Sequence, residues 1–284
     1  MAVIIDGKKV AEEIKSELKE RIADVRNKTG KVPGLVAILV GDNPASQVYV
    51  SSKSKACNEI GMNSKVENLS ANISEKELID YINHYNHDDN YHGILVQLPL
   101  PKHIDEQKII ESILPEKDID GFHPVNVGNL VIGKETFYPC TPYGIVELLK
   151  RYSIETKGKH VVVVGRSNIV GKPVANMLLQ KKEGANAIVT VCHSAAKDLS
   201  KYTKEADILI AAIGKENFIT ADMIKEGVVI IDVGINRVED KNSKKGYRLV
   251  GDVKFDEVEK KASYITPVPG GVGPMTIAML LKNT

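Results

Sequence analysis

Tyr49 and Lys53 are a pair whose types and spacing suit proton chemistry. They stand four residues apart in the segment NPASQVYVSSKSKACNEIG, so a helix would place both on one face. Ser46 falls on the same stripe, whereas Lys55 does not. A phenol beside an amine is typical of a reductase site. The alternative is a lysine that extends its charge into solvent from a wet helix face.

A second candidate site lies far downstream, in VVVVGRSNIVG. Gly165 follows an apolar strand and Gly171 opens the next helix, but the pattern G-R-S-x-x-x-G differs from G-x-G-x-x-G, so a purely steric turn is an equal alternative. Backbone N–H groups at a helix start and the guanidinium of Arg166 favour a phosphate. The next strand ends in Cys-His-Ser without an acid, so Arg166 and Ser194 favour NADP over NAD. His193 either contacts phosphate or is solvated.

Three other segments hold polar groups or glycines at positions where a ligand could bind. Gln97 ends a predicted parallel strand inside an otherwise apolar run, where ligands of open α/β sheets bind and where a buried amide needs a partner. In KDIDGFHP, Asp118 and Asp120 are candidates for binding, although a structural Asp in a turn is the alternative. The glycines of PVPGGVGP either end a strand or let a ring approach the backbone.

Alternating strands and helices must position these groups. An amphipathic helix from Val10 ends near Gly30, the buried strand LVAILV follows, and Asn43 caps a helix that stops at Gly61. NSKVENL reads as a strand, SEKELIDYINHYN as a helix with a capping box, and HGILVQLPLP as a buried strand. We predict an irregular stretch from PEKDIDGFHPVNVG to FYPCTP. A second alternation then begins at HVVVV, with helices from about Gly171 and Ala195 and near 255–262, and resembles half of a doubly wound sheet. The class is therefore α/β.

Composition narrows the function classes. The 284 residues are 43% apolar and carry a formal net charge of +1, so the chain favours a small-molecule partner over nucleic acid or a membrane. The three cysteines are odd in number and far apart, which fits neither a disulfide framework nor a metal site. No apolar run approaches about 18 residues. We expect a soluble, cytoplasmic protein with two domains and no metal.

Seven motifs in order resemble the bifunctional methylenetetrahydrofolate dehydrogenase/cyclohydrolase family. They run the length of the chain: YVSSK, GILVQLPLP, PEKDIDGFHP, PCTP, GRSNIVGKP, IIDVGIN and ITPVPGGVGPMT. The resemblance implies NADP-dependent oxidation of 5,10-methylenetetrahydrofolate to the methenyl cation, then hydrolysis to 10-formyltetrahydrofolate at the same site. It places the enzyme in one-carbon metabolism, which serves purine, methionine and histidine biosynthesis.

The resemblance also implies an architecture. An N-terminal α/β folate-binding domain would span residues 1–145, with the helix of residues 274–284 packing back on it. A C-terminal Rossmann-like NADP-binding domain would span residues 146–273, with the active site in the cleft between the domains. A homodimer through the cofactor domain is implied as well.

Residue roles follow by position from the same resemblance. Lys53 is the implied general acid/base, Gln97 its hydrogen-bond partner, and Tyr49 stacks on the folate. Asp120 accepts hydrogen bonds from the pterin, which places it with the catalytic group. The substrate-binding residues would be Tyr49, Lys53, Val96, Gln97, Leu98, Asp120, Pro269, Gly270, Gly271, Val272 and Gly273. The cofactor-binding residues would be Thr141, Gly165, Arg166, Ser167, Ser194 and Ile235.

Three other functions compete with this interpretation. A short-chain reductase needs its glycine turn ahead of the Tyr/Lys pair, and here the order is reversed. A monofunctional dehydrogenase on the same scaffold is a closer alternative, because residues do not reveal rates. A folate or NADP sensor without turnover could lose Lys53 or Gln97, and both are present.

Overall fold

The computed structural model describes residues 1–240, 243 and 246–284. The chain forms two compact units. One comprises residues 1–11 and 140–276, and is called here the glycine-turn unit because it holds Gly165. The other comprises residues 12–139 and 277–284, and is called the lysine unit because it holds Lys53.

Helices and parallel strands alternate in the lysine unit. Its elements are α1 (Gly7–Thr29, which begins in the other unit), β2 (Gly34–Val40), α2 (Pro44–Glu59), β3 (Asn63–Leu69), α3 (Glu75–Asn86), β4 (Gly93–Val96), α4 (Glu106–Ser112) and α5 (Pro124–Ile132). The strands form a parallel sheet in the order β3-β2-β4. A core of aliphatic side chains from β2 and β4 packs against α3 and α4, and both faces of the sheet's central strand are buried.

The strand order reverses at β2. After β2 the chain forms β3 on one side of it, and β4 is then added on the other side. In open α/β sheets, ligands bind at the carboxyl ends of strands where the order reverses. Here that point lies beyond Val40 and Val96. Gln97 is therefore placed at this point, and its backbone N–H donates to the Ile38 carbonyl at 2.9 Å.

The glycine-turn unit contains the larger sheet. Its elements are β1 (Val3–Ile4), α6 (Cys140–Arg151), β5 (His160–Val164), α7 (Gly171–Leu179), β6 (Ile188–Cys192), α8 (Ser200–Thr203), β7 (Ile208–Ala211), a 3-10 turn (Ala221–Met223), β8 (Val229–Asp232), β9 (Asn236–Glu239), β10 (Tyr247–Val250), α9 (Phe255–Val258), β11 (Tyr264–Ile265) and the start of α10 (Val272–Asn283). The sheet order is β1-β11-β8-β7-β5-β6, with parallel pairing throughout. Its reversal lies between β5 and β7, so the Gly165 turn follows a strand at the ligand-binding edge.

Several elements differ from the sequence-based expectation. The stretch read as irregular contains α5, which His123 caps, Pro124 opens and the left-handed Gly133 ends; these ordinary helix signals were obscured by the surrounding glycines and aspartates. The helix expected from about Ala195 is only the single turn α8, and that expected near 255–262 is only α9. The short β1 and the antiparallel pair β9 and β10 were not predicted.

The short elements share a physical reason. Two-residue and four-residue pieces carry too little periodicity to identify them, and their formation depends on partners distant in the chain. β1, for example, pairs with β11, which lies near the other end of the sequence. In the part of the chain that the structure describes, no helix combines the length and apolarity needed to cross a bilayer.

Candidate active site

Lys53 and Gln97 meet in the lysine unit. The Lys53 Nζ donates a hydrogen bond to the Gln97 Oε1 at 3.1 Å. The other half of the Gln97 amide donates to the Leu98 carbonyl at 2.7 Å. Because both ends of the amide are engaged, its oxygen is held toward the amine. Both side chains are half-buried, so the amine is neither freely solvated nor sealed from substrate.

Helix α2 supplies the lysine from a defined start. Asn43 accepts N–H bonds from Ala45 at 3.0 Å and Ser46 at 3.2 Å, and Pro44 occupies the first turn. This cap satisfies two of the N–H groups that a helix start leaves unpaired. The ring of Tyr49 lies one turn before Lys53 and is 53% exposed, which leaves its face open to a planar partner.

The neighbouring lysine behaves differently. Lys55 is exposed and forms an ion pair with Glu59 at 3.8 Å along the same helix. It lies on a different face of α2, where it lines a cavity of about 870 Å³ with Ser51 and Asn58. None of the predicted site residues lines that cavity. Helix geometry alone therefore separates the two lysines.

The two aspartates of KDIDGFHP also have different surroundings. Asp118 is buried and accepts hydrogen bonds from the His123 N–H at 2.7 Å and the Asn126 side chain at 2.9 Å. It therefore holds the loop together. Asp120 is half-buried and follows a parallel bridge between Asp118 and Ile94 of β4, which carries it toward the strand end that leads to Gln97.

The loop around Asp120 is fixed from a distant part of the chain. The side-chain amide of Asn283, in α10, donates to the Ile119 carbonyl at 2.7 Å and to the Tyr138 carbonyl at 3.0 Å. Gly121 has a φ of 68° and would crowd the backbone of residues 137–139 if it carried a side chain. Sequence reasoning did not single out Asn283, since a lone Asn near the end of a helix has no distinguishing pattern.

The glycine turn of the other unit permits close backbone approach. Gly165 has a φ of 133°, and a Cβ there would overlap the Ala212 carbonyl after β7. A Cβ on Gly171 would in turn overlap the Gly165 carbonyl. Both glycines are thus required by packing, and they also leave the N-terminal end of α7 bare for a phosphate.

The polar residues predicted around this turn are accessible. Arg166 and Ser194 are exposed, and the Ser167 hydroxyl accepts the Val170 N–H at 3.1 Å. The His193 ring accepts the Ala195 N–H at 3.2 Å, so one ring nitrogen stabilises the turn that carries Ser194. These donors fit the phosphates of a dinucleotide, and the acid that would repel a 2′-phosphate is absent from the end of β6.

Val96 and Leu98 flank Gln97 in the lysine unit, whereas Thr141, Ile235 and residues 269–273 belong to the glycine-turn unit. The Thr141 hydroxyl lies 3.0 Å from that of Thr276. Ile235 is 52% exposed, and its Cδ1 lies 3.5 Å from the position a Cβ would take on Gly273. Residues 267–274 and 232–235 line a cavity of about 120 Å³ with Leu249. The predicted cofactor residue Ile235 thus adjoins the predicted folate loop.

A buried pair of carboxylates beside Ile235 was not predicted. Asp232 and Asp252 are 3% and 0% exposed. Burial raises the pKa of Asp232 to about 7, and the nearby Asp252 acts in the same direction, while backbone N–H donors oppose the change. The sequence does pair each aspartate with a nearby glycine. Asp232 precedes Gly234 by two residues in IIDVGIN, and Asp252 directly follows Gly251 in VGDV.

A parallel sheet with a bare glycine turn at its reversal point, joined to a second α/β unit with a positioned lysine, defines a dinucleotide-dependent enzyme with a separate catalytic unit. Family profiles assign the two parts. Residues 5–120 match the tetrahydrofolate dehydrogenase/cyclohydrolase catalytic domain, and residues 139–284 match the NAD(P)-binding domain of the same family. The chain belongs to the tetrahydrofolate dehydrogenase/cyclohydrolase family.

Individual relatives agree over the whole length. The "Bifunctional protein FolD" of Chloroherpeton thalassium is 63% identical over 284 residues, covering 99% of this chain and 97% of that protein. The crystal structure of the bifunctional FolD from Campylobacter jejuni is 56% identical, covers 100% of this chain and 97% of that one, and superposes with a TM-score of 0.94. A Trypanosoma brucei dehydrogenase-cyclohydrolase, solved with NADP and an inhibitor, is 44% identical, covers 99% and 95%, and has a TM-score of 0.93.

These comparisons confirm the predicted family, the two-domain α/β fold, the bifunctional enzyme class and the NADP cofactor. They support a tetrahydrofolate substrate and a place in one-carbon metabolism. The roles of individual residues and the domain boundaries stay predictions.

Proposed function

We propose that Lys53, oriented by Gln97, transfers the protons of the cyclohydrolase reaction in this bifunctional enzyme. The observation that carries the proposal is the 3.1 Å hydrogen bond from the Lys53 Nζ to the Gln97 Oε1, at the strand end where α/β sheets bind ligands. A neutral amide orients the amine without holding it charged, as a carboxylate would.

The chemistry of hydrolysis explains the need for such a group. A water loses a proton as it attacks the methenyl carbon, and a ring nitrogen gains a proton as its bond to that carbon breaks. One amine within reach of both atoms can accept the first proton and return it in the second step. Oxidation requires no base at the reacting carbon, because the hydride leaves with its electron pair and the product is a delocalised cation.

Other residues bind and orient the folate in this proposal. The exposed ring of Tyr49 stacks on the aminobenzoyl group, and Asp120 accepts hydrogen bonds from the pterin. The backbone around Val96 and Leu98, together with residues 269–273, lines the substrate. Gly271 is buried, and a Cβ there would overlap the Pro267 carbonyl, so the close fold of this loop requires a glycine at that position.

NADP fits the glycine-turn unit. Gly165 and Gly171 let the turn pack closely before α7 and put no side chain at the start of that helix, and Arg166, Ser167 and Ser194 supply donors for phosphate. When bound, the oxidised nicotinamide accepts the hydride of the methylene group. The protein's contribution to this step is alignment, with Thr141 and Ile235 positioned for contact with the cofactor.

The decisive test compares Lys53→Met with Lys55→Met. We expect Lys53→Met to lower the cyclohydrolase rate by about 10² to 10⁴-fold, while the thermal unfolding midpoint and the Kd for NADP stay close to those of the unaltered enzyme. The control Lys55→Met removes an exposed lysine of the same helix and should leave both activities unchanged. Absorbance of the methenyl product and chromatography of 10-formyltetrahydrofolate measure the two reactions separately, with NADP or NAD supplied in turn.

Three results would contradict the proposal. Normal methenyl hydrolysis by Lys53→Met would remove the lysine from the proton chemistry. Methenyl accumulation without formyl product in the unaltered enzyme would show a monofunctional dehydrogenase, and tight binding of folate and NADP without any turnover would show a sensor.

The assembly and location belong to the same proposal. We infer a homodimer formed through the cofactor domain, supported by β6, which ends the order of the six-stranded sheet and exposes Ile188 and Val191 by 63% and 42%. A cytoplasmic location is supported by the cysteines, all three of which are free and buried. We propose domain limits of 1–145 for the folate-binding domain, with residues 274–284 on it, and of 146–273 for the cofactor-binding domain.

A further inference from the structure

Asp232 and Asp252 are joined by reciprocal contacts with the backbone. The Asp232 carboxylate accepts the N–H groups of Asp252 at 2.9 Å and Val253 at 3.0 Å. It also accepts the N–H of Gly234, two residues on in its own segment, at 2.9 Å. Asp232 therefore ties the end of β8 to the segment that follows β10.

Asp252 makes the complementary connections. Its carboxylate accepts three consecutive N–H groups of the turn after β7, from Ile213 at 2.6 Å, Gly214 at 2.9 Å and Lys215 at 3.0 Å. The same group accepts the side-chain amide of Asn236 at 2.9 Å. One buried carboxylate thus joins the turn after β7 to the segment after β8.

Two glycines make room for this arrangement. A Cβ on Gly234 would overlap the Asp252 side chain, and a Cβ on Gly251 would overlap the Asp232 carboxylate. Each aspartate segment therefore carries a glycine against the carboxylate of the other. We call the four residues Asp232, Gly234, Gly251 and Asp252 the aspartate clamp.

Ile235 stands between the two held points of its segment. Its preceding residue, Gly234, donates to Asp232, and its following residue, Asn236, donates to Asp252. The Ile235 side chain is nevertheless 52% exposed. Both neighbours of Ile235 are restrained by hydrogen bonds, and its own apolar side chain is exposed. Such a side chain can contact the face of a planar ring and fix the position of that ring.

We propose that the aspartate clamp positions Ile235 and the turn after β7 for hydride transfer, so that Asp252 and Asn236 act as positioning residues of the dehydrogenase reaction. This inference rests on the proposed contact between Ile235 and the cofactor. The phosphates are assigned to other residues, those of the Gly165 turn and Ser194, so the clamp affects alignment more than affinity.

The test uses Asn236→Ala and Asp252→Asn, with Glu239→Ala as control. Asn236→Ala removes one link of the clamp and leaves the turn after β7 bound to Asp252. Glu239 is exposed on the same strand, β9.

We expect Asn236→Ala to lower the dehydrogenase kcat about tenfold and to increase the primary deuterium isotope effect measured with deuterated methylene substrate. The Kd for NADP and the cyclohydrolase rate should change by less than about twofold, and Asp252→Asn should show the same pattern more strongly where it folds.

The outcomes separate the clamp from the proposed function. An unchanged kcat and isotope effect in Asn236→Ala overturn the clamp, as does an equal loss of both activities, which indicates a general structural role. Ile235→Ala with normal hydride transfer overturns the proposed cofactor contact, and the clamp's role with it. A larger loss in Asn236→Ala than in Glu239→Ala, confined to hydride transfer, supports the inference.

Discussion

At the scale of residues, reach and orientation decide which side chain does chemistry. Lys53 and Lys55 are identical in type and two residues apart, yet one donates to Gln97 and the other pairs with Glu59 in solvent. Asp118 and Asp120 differ in burial, since Asp118 is buried and binds its own loop whereas Asp120 is half-buried. Chemical type identifies candidates, and burial and hydrogen-bond partners then distinguish residues of the same type.

The identity of the Gln97 side chain can be tested directly. Gln97→Glu places a carboxylate beside Lys53, which stabilises the charged amine and removes its capacity to accept a proton. We expect the cyclohydrolase rate to fall about 10²-fold or more, with a smaller loss of dehydrogenase activity. Steady-state assays of both reactions with the same preparation measure the ratio.

The matched control for this change is Gln47→Glu. Gln47 lies on α2 and lines the cavity that contains Lys55, away from Lys53. The same change of charge there should leave both rates unchanged. A Gln97→Glu enzyme whose two activities fall in parallel would argue against a specific role for the neutral amide.

At the scale of elements, the two parallel sheets place their candidate site residues in the same way. Each has a point where strand order reverses, and each places a distinct kind of residue there: an amide and amine in the lysine unit, and a glycine turn in the other. The turn leaves no room for a side chain, whereas Gly128 in α5 has nothing described within 4 Å of an added Cβ. This difference makes substitutions of glycine informative.

Gly165→Ala and Gly128→Ala should have opposite effects. Gly165 has a φ of 133° and would crowd Ala212, so alanine should lower both stability and the affinity for NADP. Gly128 is exposed within α5, and no described neighbouring atom lies within 4 Å of the position that a Cβ would take there. Alanine at Gly128 should raise the free energy of unfolding by about 0.5 to 1 kcal/mol. Denaturant unfolding and NADP titration measure both, and an unaffected Gly165→Ala would contradict the steric account.

At the scale of the whole molecule, the buried Asp232 couples folding to pH. Its pKa rises from 3.8 to about 7 on burial, so the folded chain binds a proton here that the unfolded chain has released between these values. Stability from this group is therefore complete below about pH 4 and is lost as pH rises toward 7. The difference corresponds to at most about 4 kcal/mol across that range.

Thermal unfolding of the unaltered protein and Asp232→Asn at a series of pH values isolates this effect. Asn does not titrate, so the stability advantage of the unaltered protein over the variant should shrink as pH rises from 4 to 7. The pH-dependent contributions of the other carboxylates to stability are common to both proteins and cancel in the difference. An advantage that is constant or grows with pH would contradict a proton on Asp232.

The proposed dimer is also a property of the whole molecule. Ile188→Lys places a charge on the exposed edge strand β6, where pairing with a second copy would bury it. We expect sedimentation velocity to show a dimer for the unaltered protein and a monomer for the variant. The control Ile169→Lys alters another exposed isoleucine outside the strands of the sheet, and equal sedimentation of all three proteins as dimers would exclude this edge.

Periodicity, capping residues and the order of seven motifs determined the α/β class, the family and most long helices and strands. These features are local, because each depends on residues within a few turns or within one strand. The capping box of Ser74 and Glu77 and the start of α2 at Pro44, for example, are present as predicted.

Contacts between distant segments were decided only by the tertiary structure. β1 pairs with β11, Asn283 holds the loop before Asp120, and Asp232 faces Asp252 across a glycine on each side. No local pattern encodes such pairings, since burial and hydrogen bonding between remote segments depend on how the chain packs. The sequence alone therefore established the reaction and separated Lys53 from Lys55 by helix spacing, while packing determined that Lys53 meets Gln97.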